Sequence, residues 1–149
     1  MTKKQVATKP FRLAREVAGS EASKLVSARL GREIAGAHGP RNERTFTLAA
    51  RDEQGEWIGG VNGVIHWRWL YISQFYLAPD WRRNGLGRAL LAEVENLARE
   101  SSCVGLYLDT FDAGPLDFYR KCGFEIAGRI ENFPPGAART FLSKRFAPG

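Results

Sequence analysis

The sequence is poor in the residues that build metal sites and disulfide scaffolds. It has two cysteines, Cys103 and Cys122, and two histidines, His38 and His66. The cysteines lack metal-ligand spacing, and these four residues do not form a persuasive zinc set, so no metal is expected. Two reduced, part-buried thiols are expected instead. No apolar run approaches the roughly 20 residues that cross a bilayer. The start, Met1-Thr2-Lys3-Lys4-Gln5, is charged and precedes no apolar stretch. Neither a membrane span nor a secretory leader is therefore expected, and the reading is cytoplasmic. Internal repeats and low-complexity tracts are also missing.

What is there suits one compact domain over residues 1–149, with an apolar fraction of 44% that supports a buried core. The net charge of +6 is uneven: residues 1–51 carry eleven Lys/Arg against four Asp/Glu. Such an excess attracts anions. No aromatic interleaving or nucleic-acid motif accompanies it, so nucleic acid is not the expected partner and a solvated basic surface is.

Along the chain, residues 1–10 read as a mobile basic start. Ser20 caps a helix carrying Leu25, Val26, Leu30 and Ile34 at helical spacing, and Gly36 to Asn42 reads as a loop. Thr45 to Ala50 alternates as a strand, Asp52-Glu53-Gln54-Gly55 turns, and Trp57 to His66 returns. Leu70 to Leu77 is a third strand, rich in aromatic and β-branched residues. After Gly85 the period becomes helical through Leu86, Leu90, Val94, Leu97 and Ser101, with Glu95 and Arg99 spaced as a surface pair. Val104 to Leu108 is a short strand. Asp112 to Lys121 is a helix with Pro115 in its first turn, and Phe124 to Ile130 and Arg139 to Phe146 are closing strands. The order is α/β: antiparallel strands first, then a parallel strand–helix–strand crossover.

The most informative stretch is Leu77-Ala78-Pro79-Asp80-Trp81-Arg82-Arg83-Asn84-Gly85-Leu86-Gly87-Arg88. A strand ends, a glycine-rich turn follows and a helix opens, aiming backbone N–H groups and the positive end of the helix dipole at one point. Gly85 and Gly87 let the backbone approach an anion closely, and Arg82, Arg83 and Arg88 add charge. Phosphate or pyrophosphate fits such a site. A dinucleotide loop would need glycine where Leu90 stands, and a P-loop would need a Gly-Lys-Ser/Thr triplet that does not occur.

The remaining pattern, Arg82-x-x-Gly85-x-Gly87, resembles the acetyl-CoA loop of the GNAT superfamily of N-acetyltransferases. Phe118-Tyr119-Arg120-Lys121-Cys122-Gly123-Phe124 resembles that family's tyrosine segment. Asn132-Phe133-Pro134-Pro135-Gly136, then Arg139, Phe141 and Leu142, is similar to a bacterial subgroup, as are Gly59-Gly60 and Trp67-x-Trp69-Leu70. The resemblance spans roughly residues 44–146. It implies the GNAT fold, a mixed sheet of about six to seven strands flanked by helices and splayed at the acetyl-CoA site. It also implies acetyl-CoA as cosubstrate, held at Arg82, Arg83, Asn84, Gly85, Leu86, Gly87 and Arg88. Phe75, Tyr76 and Leu77 would pair their backbone with the pantetheine, and Phe118 would contact the cofactor. A backbone N–H near Leu77 would polarise the thioester carbonyl, and Tyr119 would be the acid that protonates the leaving thiolate. Two departures stand out. The strand before the loop carries Ser73-Gln74 where many members have a carboxylate, and the tyrosine helix opens Asp112-Ala113-Gly114-Pro115 where many have Asn or Gln.

Candidate groups on the acceptor side are Ser73, through water, and Asp109, with His66 as a further base. Trp67, Trp69, Tyr71 and Phe111 are either pocket aromatics or ordinary core. The acceptor is read as a primary amine of a small molecule. The alternatives are a macromolecular acceptor, protein lysine or charged tRNA, and a CoA-binding sensor without turnover. The oligomeric state is open between monomer and homodimer.

Overall fold

The computed structural model describes residues 9–111 and 113–147. Residues 1–8 of the expected mobile start lie outside the described residues, as does Asp112 at the head of the expected tyrosine helix. The chain divides into two units, Met1–Pro40 and Arg41–Gly149.

The first unit holds helix α1, Glu21–His38. Ser20 caps it by accepting the Ser23 N–H at 3.3 Å, and Glu21 lies in the first turn where the dipole favours an anion. Gly36, expected in a loop, is still helical. A lone glycine costs only about 1 kcal/mol in a helix, and alanines flank this one. The stop comes at Gly39, whose φ of 82° is readily adopted only without a side chain, and whose N–H returns to the Ala35 carbonyl.

The second unit is a six-stranded sheet ordered β1-β2-β3-β4-β6-β5. Its strands are β1 (Arg44–Arg51), β2 (Trp57–His66), β3 (Trp69–Leu77), β4 (Gly105–Thr110), β5 (Glu125–Glu131) and β6 (Ala138–Arg145). Helices α2 (Leu86–Glu100) and α3 (Ala113–Lys121) connect β3 to β4 and β4 to β5. Only β3 and β4 run parallel, across the α2 crossover. The ends differ by a residue or two from the sequence reading because ladder bonds, not apolar pattern, set them. The sixth strand starts at Ala138, which pairs with Glu131.

Leu70, Ile72, Leu106, Leu108 and Leu142 bury the sheet face that receives Leu90, Leu91, Val94 and Ala98 of α2. Each large apolar side chain among them contributes about 1.5–3 kcal/mol of burial. Glu95 and Arg99 do not pair with each other. Glu95 pairs with Lys144 of β6, whose ammonium also donates to the Cys122 carbonyl at the end of α3 at 2.8 Å. Arg99 lies over the Phe146 ring at 4.1 Å. An exposed pair four residues apart is worth only about 0.3–0.5 kcal/mol, so part-buried partners outcompete it.

Two features position the site. Pairing of β3 with β4 stops at Ile72 and Leu108, while β3 continues to Leu77, so the two strands part there. In the same strand Asn62 pairs with Gln74 and Gly63 with Ile72, leaving Ser73 as an extra residue. This bulge shifts the alternation of β3. Ile72 belongs to the core, and Phe75 and Leu77 pack against the same core, while Tyr71, Gln74 and Tyr76 take the opposite face.

Candidate functional site

Beyond Leu77 the chain makes a short 3₁₀ turn, Pro79–Trp81, and reaches α2 through Arg82 to Gly85. Arg83 and Gly85 both have positive φ, 64° and 93°, which folds the backbone back over the start of the helix. The Arg82 Nε donates to the Leu77 carbonyl at 3.1 Å, and its guanidinium lies over the Tyr76 ring at 5.6 Å. Asn84 Oδ1 accepts the Leu86 N–H at 3.3 Å. The following N–H groups of the first turn precede any intrahelical acceptor and face outward with the positive end of the dipole. Gly87 is buried, and a Cβ there would lie 3.2 Å from Phe118 Cζ and 3.4 Å from Leu77 Cδ1. The cradle has no room to spare for a side chain.

A cleft of about 680 Å³ opens over this loop. It is lined by Phe75, Tyr76, Leu77, Arg82, Arg83, Gly85, Gly87, Arg88, Pro115, Phe118 and Tyr119. The glycine loop, the end of β3 and the start of α3 therefore share one cavity, and Tyr119 sits in its wall. Tyr119 is only 7% exposed, edge-on to Phe75 and Phe124, with ring centroids 6.3 and 5.7 Å away. Among the described residues no hydrogen bond engages its hydroxyl. Burial pushes its pKa up to about 12, with a small further push from the Cys122 thiol. The phenol is thus a neutral donor at any ordinary pH.

The other face of the sheet at the parting carries different chemistry. Tyr71 stacks on Tyr107 at 4.7 Å, and its hydroxyl donates to Asp109 Oδ1 at 2.6 Å. Arg139 Nε donates to Asp109 Oδ2 at 2.8 Å. Both carboxylate oxygens are thereby engaged. Tyr71 is pushed up to about 12, first by burial and then by its bond to Asp109. The Tyr107 hydroxyl lies 3.0 Å from His66 Nε2, while His66 Nδ1 is buried without a partner. Ser73 Oγ donates to the Asn62 carbonyl at 3.0 Å, and Asn62 Nδ2 donates to Gln74 Oε1 at 3.0 Å.

Of the aromatics singled out from sequence, Trp69 and Tyr71 gather around Tyr107, whereas Phe111 packs edge-on against Phe133 and under Arg139. Sequence reasoning missed Arg139 as the partner of Asp109, and missed Tyr107, Asn62 and the bulge. Only the pairing of β4 with β6 and of β2 with β3 could have found them. No group of three or more His, Cys, Asp or Glu able to hold a metal exists among the described residues, and none of their helices is long and apolar enough to cross a membrane.

This arrangement agrees with what the chain resembles. The acetyltransferase (GNAT) family pattern matches residues 12–124. The blasticidin-S acetyltransferase of Streptomyces morookaense is 36% identical over 100 residues, covering 66% of this chain and 74% of that protein. Acetyltransferase Atu2258 of Agrobacterium fabrum is 30% identical over 131 residues, 88% of this chain and 96% of the other. A crystal structure of an acetyltransferase from Bacillus cereus superposes with a TM-score of 0.77 at 25% identity, covering 89% of this chain and 98% of that one. With a parted β3–β4 pair, a glycine-rich loop and a buried tyrosine on one cleft, the chain belongs to the acetyltransferase (GNAT) family and is an N-acetyltransferase.

Proposed function

We propose that the protein transfers the acetyl group of acetyl-CoA to a primary amine of a small molecule, a reading supported by the name of its Streptomyces relative, a blasticidin-S acetyltransferase. The observation that carries this reading is the shared cleft: the anion loop and the Tyr119 hydroxyl line one cavity. The chain's residues fit the donor. At Gly87 a Cβ would already crowd Phe118 and Leu77, so the loop backbone is kept bare, and three arginines line the cleft to meet phosphate charge. Acetyl-CoA supplies the activated acetyl thioester. The free edge of β3 from Phe75 to Leu77, left by the parting of β4, offers backbone groups to an extended pantetheine. An N–H near Leu77 would polarise the thioester carbonyl.

Tyr119 acts on the sulfur. Burial pushes the Tyr119 pKa up to about 12, so the hydroxyl stays protonated as charge develops on sulfur. Its contribution is therefore a hydrogen bond that strengthens as negative charge develops on sulfur, which is differential binding of the transition state. The net proton comes from the attacking amine.

Among the described residues both Asp109 oxygens are bound and Gln74 is an amide, so neither supplies a free carboxylate for deprotonating the amine. Water held against Ser73 and the Asn62–Gln74 amides carries the proton out. Asp109 acts on the acceptor through Tyr71, fixing that hydroxyl as a donor to itself and leaving its oxygen to accept from the acceptor. The test is release of free thiol from acetyl-CoA across an amine panel that includes blasticidin S. An acetylated amine is the expected product, and kcat/KM should rise with pH along the acceptor's own amine pKa. Thiol release that is independent of every amine would overturn the reading.

A further inference from the structure

At the opposite end of the sheet from the glycine loop, where β3 and β4 begin and β6 ends, a second cavity of about 520 Å³ is lined by Arg68, Arg99, Cys103, Val104, Arg145, Phe146 and Ala147. Residues 41–149 hold fourteen Lys/Arg and thirteen Asp/Glu, so general basicity does not account for three arginines in one cavity. Arg68, Arg99 and Arg145 are exposed, whereas the part-buried cations of this unit have carboxylates: Arg139 has Asp109 and Lys144 has Glu95. Among the described residues none of Arg68, Arg99 and Arg145 has a carboxylate within ion-pair distance.

The three guanidinium groups are nevertheless held in place. The Arg99 guanidinium carbon lies over the Phe146 ring at 4.1 Å and that of Arg145 over the Trp69 ring at 5.3 Å, while Arg68 Nε donates to the Ser102 carbonyl at 3.0 Å. A cation–π contact uses no N–H donor, so the guanidinium groups of Arg99 and Arg145 keep donors that can meet phosphate oxygens in pairs. Like charges gathered at one cavity raise the local positive potential, moderately where they are exposed, and an anion is attracted to it. Cys103, 8% exposed in the cavity, does not supply that anion: burial raises its thiol pKa, although Arg44 and Arg68 pull the other way.

We propose that this cavity is a second anion site, independent of the glycine loop, that takes a phosphorylated small molecule. Its volume lies within the roughly 300–1,000 Å³ of small-ligand pockets.

The experiment is calorimetric titration of inorganic pyrophosphate into protein saturated with CoA, which blocks the loop. One further site per chain is expected. The Arg99→Gln, Arg145→Gln double variant should weaken it by about tenfold or more, since hydrogen bonds to charged groups are lost. Unchanged CoA affinity in that variant shows that it is folded. If it misfolds, Arg68→Gln in the same titration must show the loss. Absence of a second site, an affinity untouched by these variants, or pyrophosphate that merely displaces CoA each overturns the proposal. A single-stranded oligonucleotide binding far more tightly than pyrophosphate would overturn the small-molecule assignment. None of these outcomes depends on acetyl transfer.

Discussion

The two faces of the parted sheet are built in different ways. On the side proposed for the donor the glycine-rich loop is local, because Arg82 to Arg88 is one contiguous stretch of chain. Backbone conformation and a helix end do most of the work there. On the side proposed for the acceptor the defining polar contacts are long-range. Tyr71 meets Asp109 across 38 residues of sequence, Arg139 meets Asp109 across 30, and Tyr107 meets His66 across 41. A site made of backbone tolerates side-chain change except where a side chain would fill it. One made of cross-strand side chains can be retuned one residue at a time. The donor side is thus suited to a constant cosubstrate and the acceptor side to a variable one.

The largest effect should come from filling the donor cradle. Gly87→Glu puts a side chain where Cβ already meets Phe118 at 3.2 Å, and a negative charge beside phosphate. CoA affinity is expected to fall by about a thousandfold or more, roughly 4 kcal/mol. Calorimetry checks this, and Gly87→Ala separates sterics from charge by keeping measurable binding. If Gly87→Glu binds CoA like the wild type, the phosphates lie elsewhere and the donor-side assignment fails.

Next comes Tyr119→Phe, which keeps the packed ring and removes the donor. A fall in kcat of roughly 10²-fold is expected, about 2.7 kcal/mol, with CoA affinity unchanged. The raised pKa adds a stability signature. Below about pH 10 the phenol is neutral in both folded and unfolded chains, and its contribution is fully present. Between about pH 10 and the folded pKa of about 12 the unfolded chain ionises first, so stability falls as pH rises through that window. Urea unfolding at pH 8 and pH 11.5 should show wild type losing about 2 kcal/mol more than Tyr119→Phe. Equal losses would mean that the hydroxyl is not buried in solution.

What could be read in advance follows the same division. The glycine loop and the order of strands and helices were legible because both are written in contiguous residues: period, turn chemistry and Arg82-x-x-Gly85-x-Gly87. The three-stranded antiparallel opening and the parallel crossover also followed from local pattern. Glu95 was legible as a surface residue but not as the partner of Lys144, 49 residues away. The extra residue at Ser73 has no signature in sequence, yet it decides which face Phe75 and Tyr71 take. Asp109 could be singled out by residue type. That Tyr71 and Arg139 occupy both its oxygens required knowing that β4 lies between β3 and β6.

A smaller, acceptor-side effect is expected from Asp109→Asn. The change keeps the shape of the side chain and removes the charge that Arg139 and Tyr71 share. The acceptor KM should rise by about tenfold, with CoA affinity unchanged, and stability should drop by about 1–3 kcal/mol for the impaired part-buried network. In a double-mutant cycle with Arg139→Gln, the paired loss should be smaller than the sum of the single losses. Additive losses would show that the pair is incidental, and a loss of CoA affinity would move Asp109 to the donor side.

The smallest effect tests whether the acceptor face extends toward the edge of the sheet. Trp57 is 50% exposed and lies parallel to Tyr76 at a centroid distance of 5.8 Å. The two rings border a shallow cavity of about 270 Å³ with Asn62 and Gln74, next to the bulge. An exposed stacked pair contributes little to folding, about 0.5–1.5 kcal/mol beyond area, so its removal reads mainly on binding. Trp57→Leu keeps an apolar side chain and removes the flat surface. The acceptor KM is expected to rise by roughly threefold to tenfold for an acceptor with a planar ring, as one base-sized stacking contact is lost. It should stay unchanged for an aliphatic amine, and kcat and CoA affinity should hold for both. Steady-state kinetics with one planar and one aliphatic amine decide the matter. An equal rise for both amines would assign Trp57 to packing alone, and a change in CoA affinity would show that Tyr76, whose ring also lies under Arg82, transmits the loss to the donor loop.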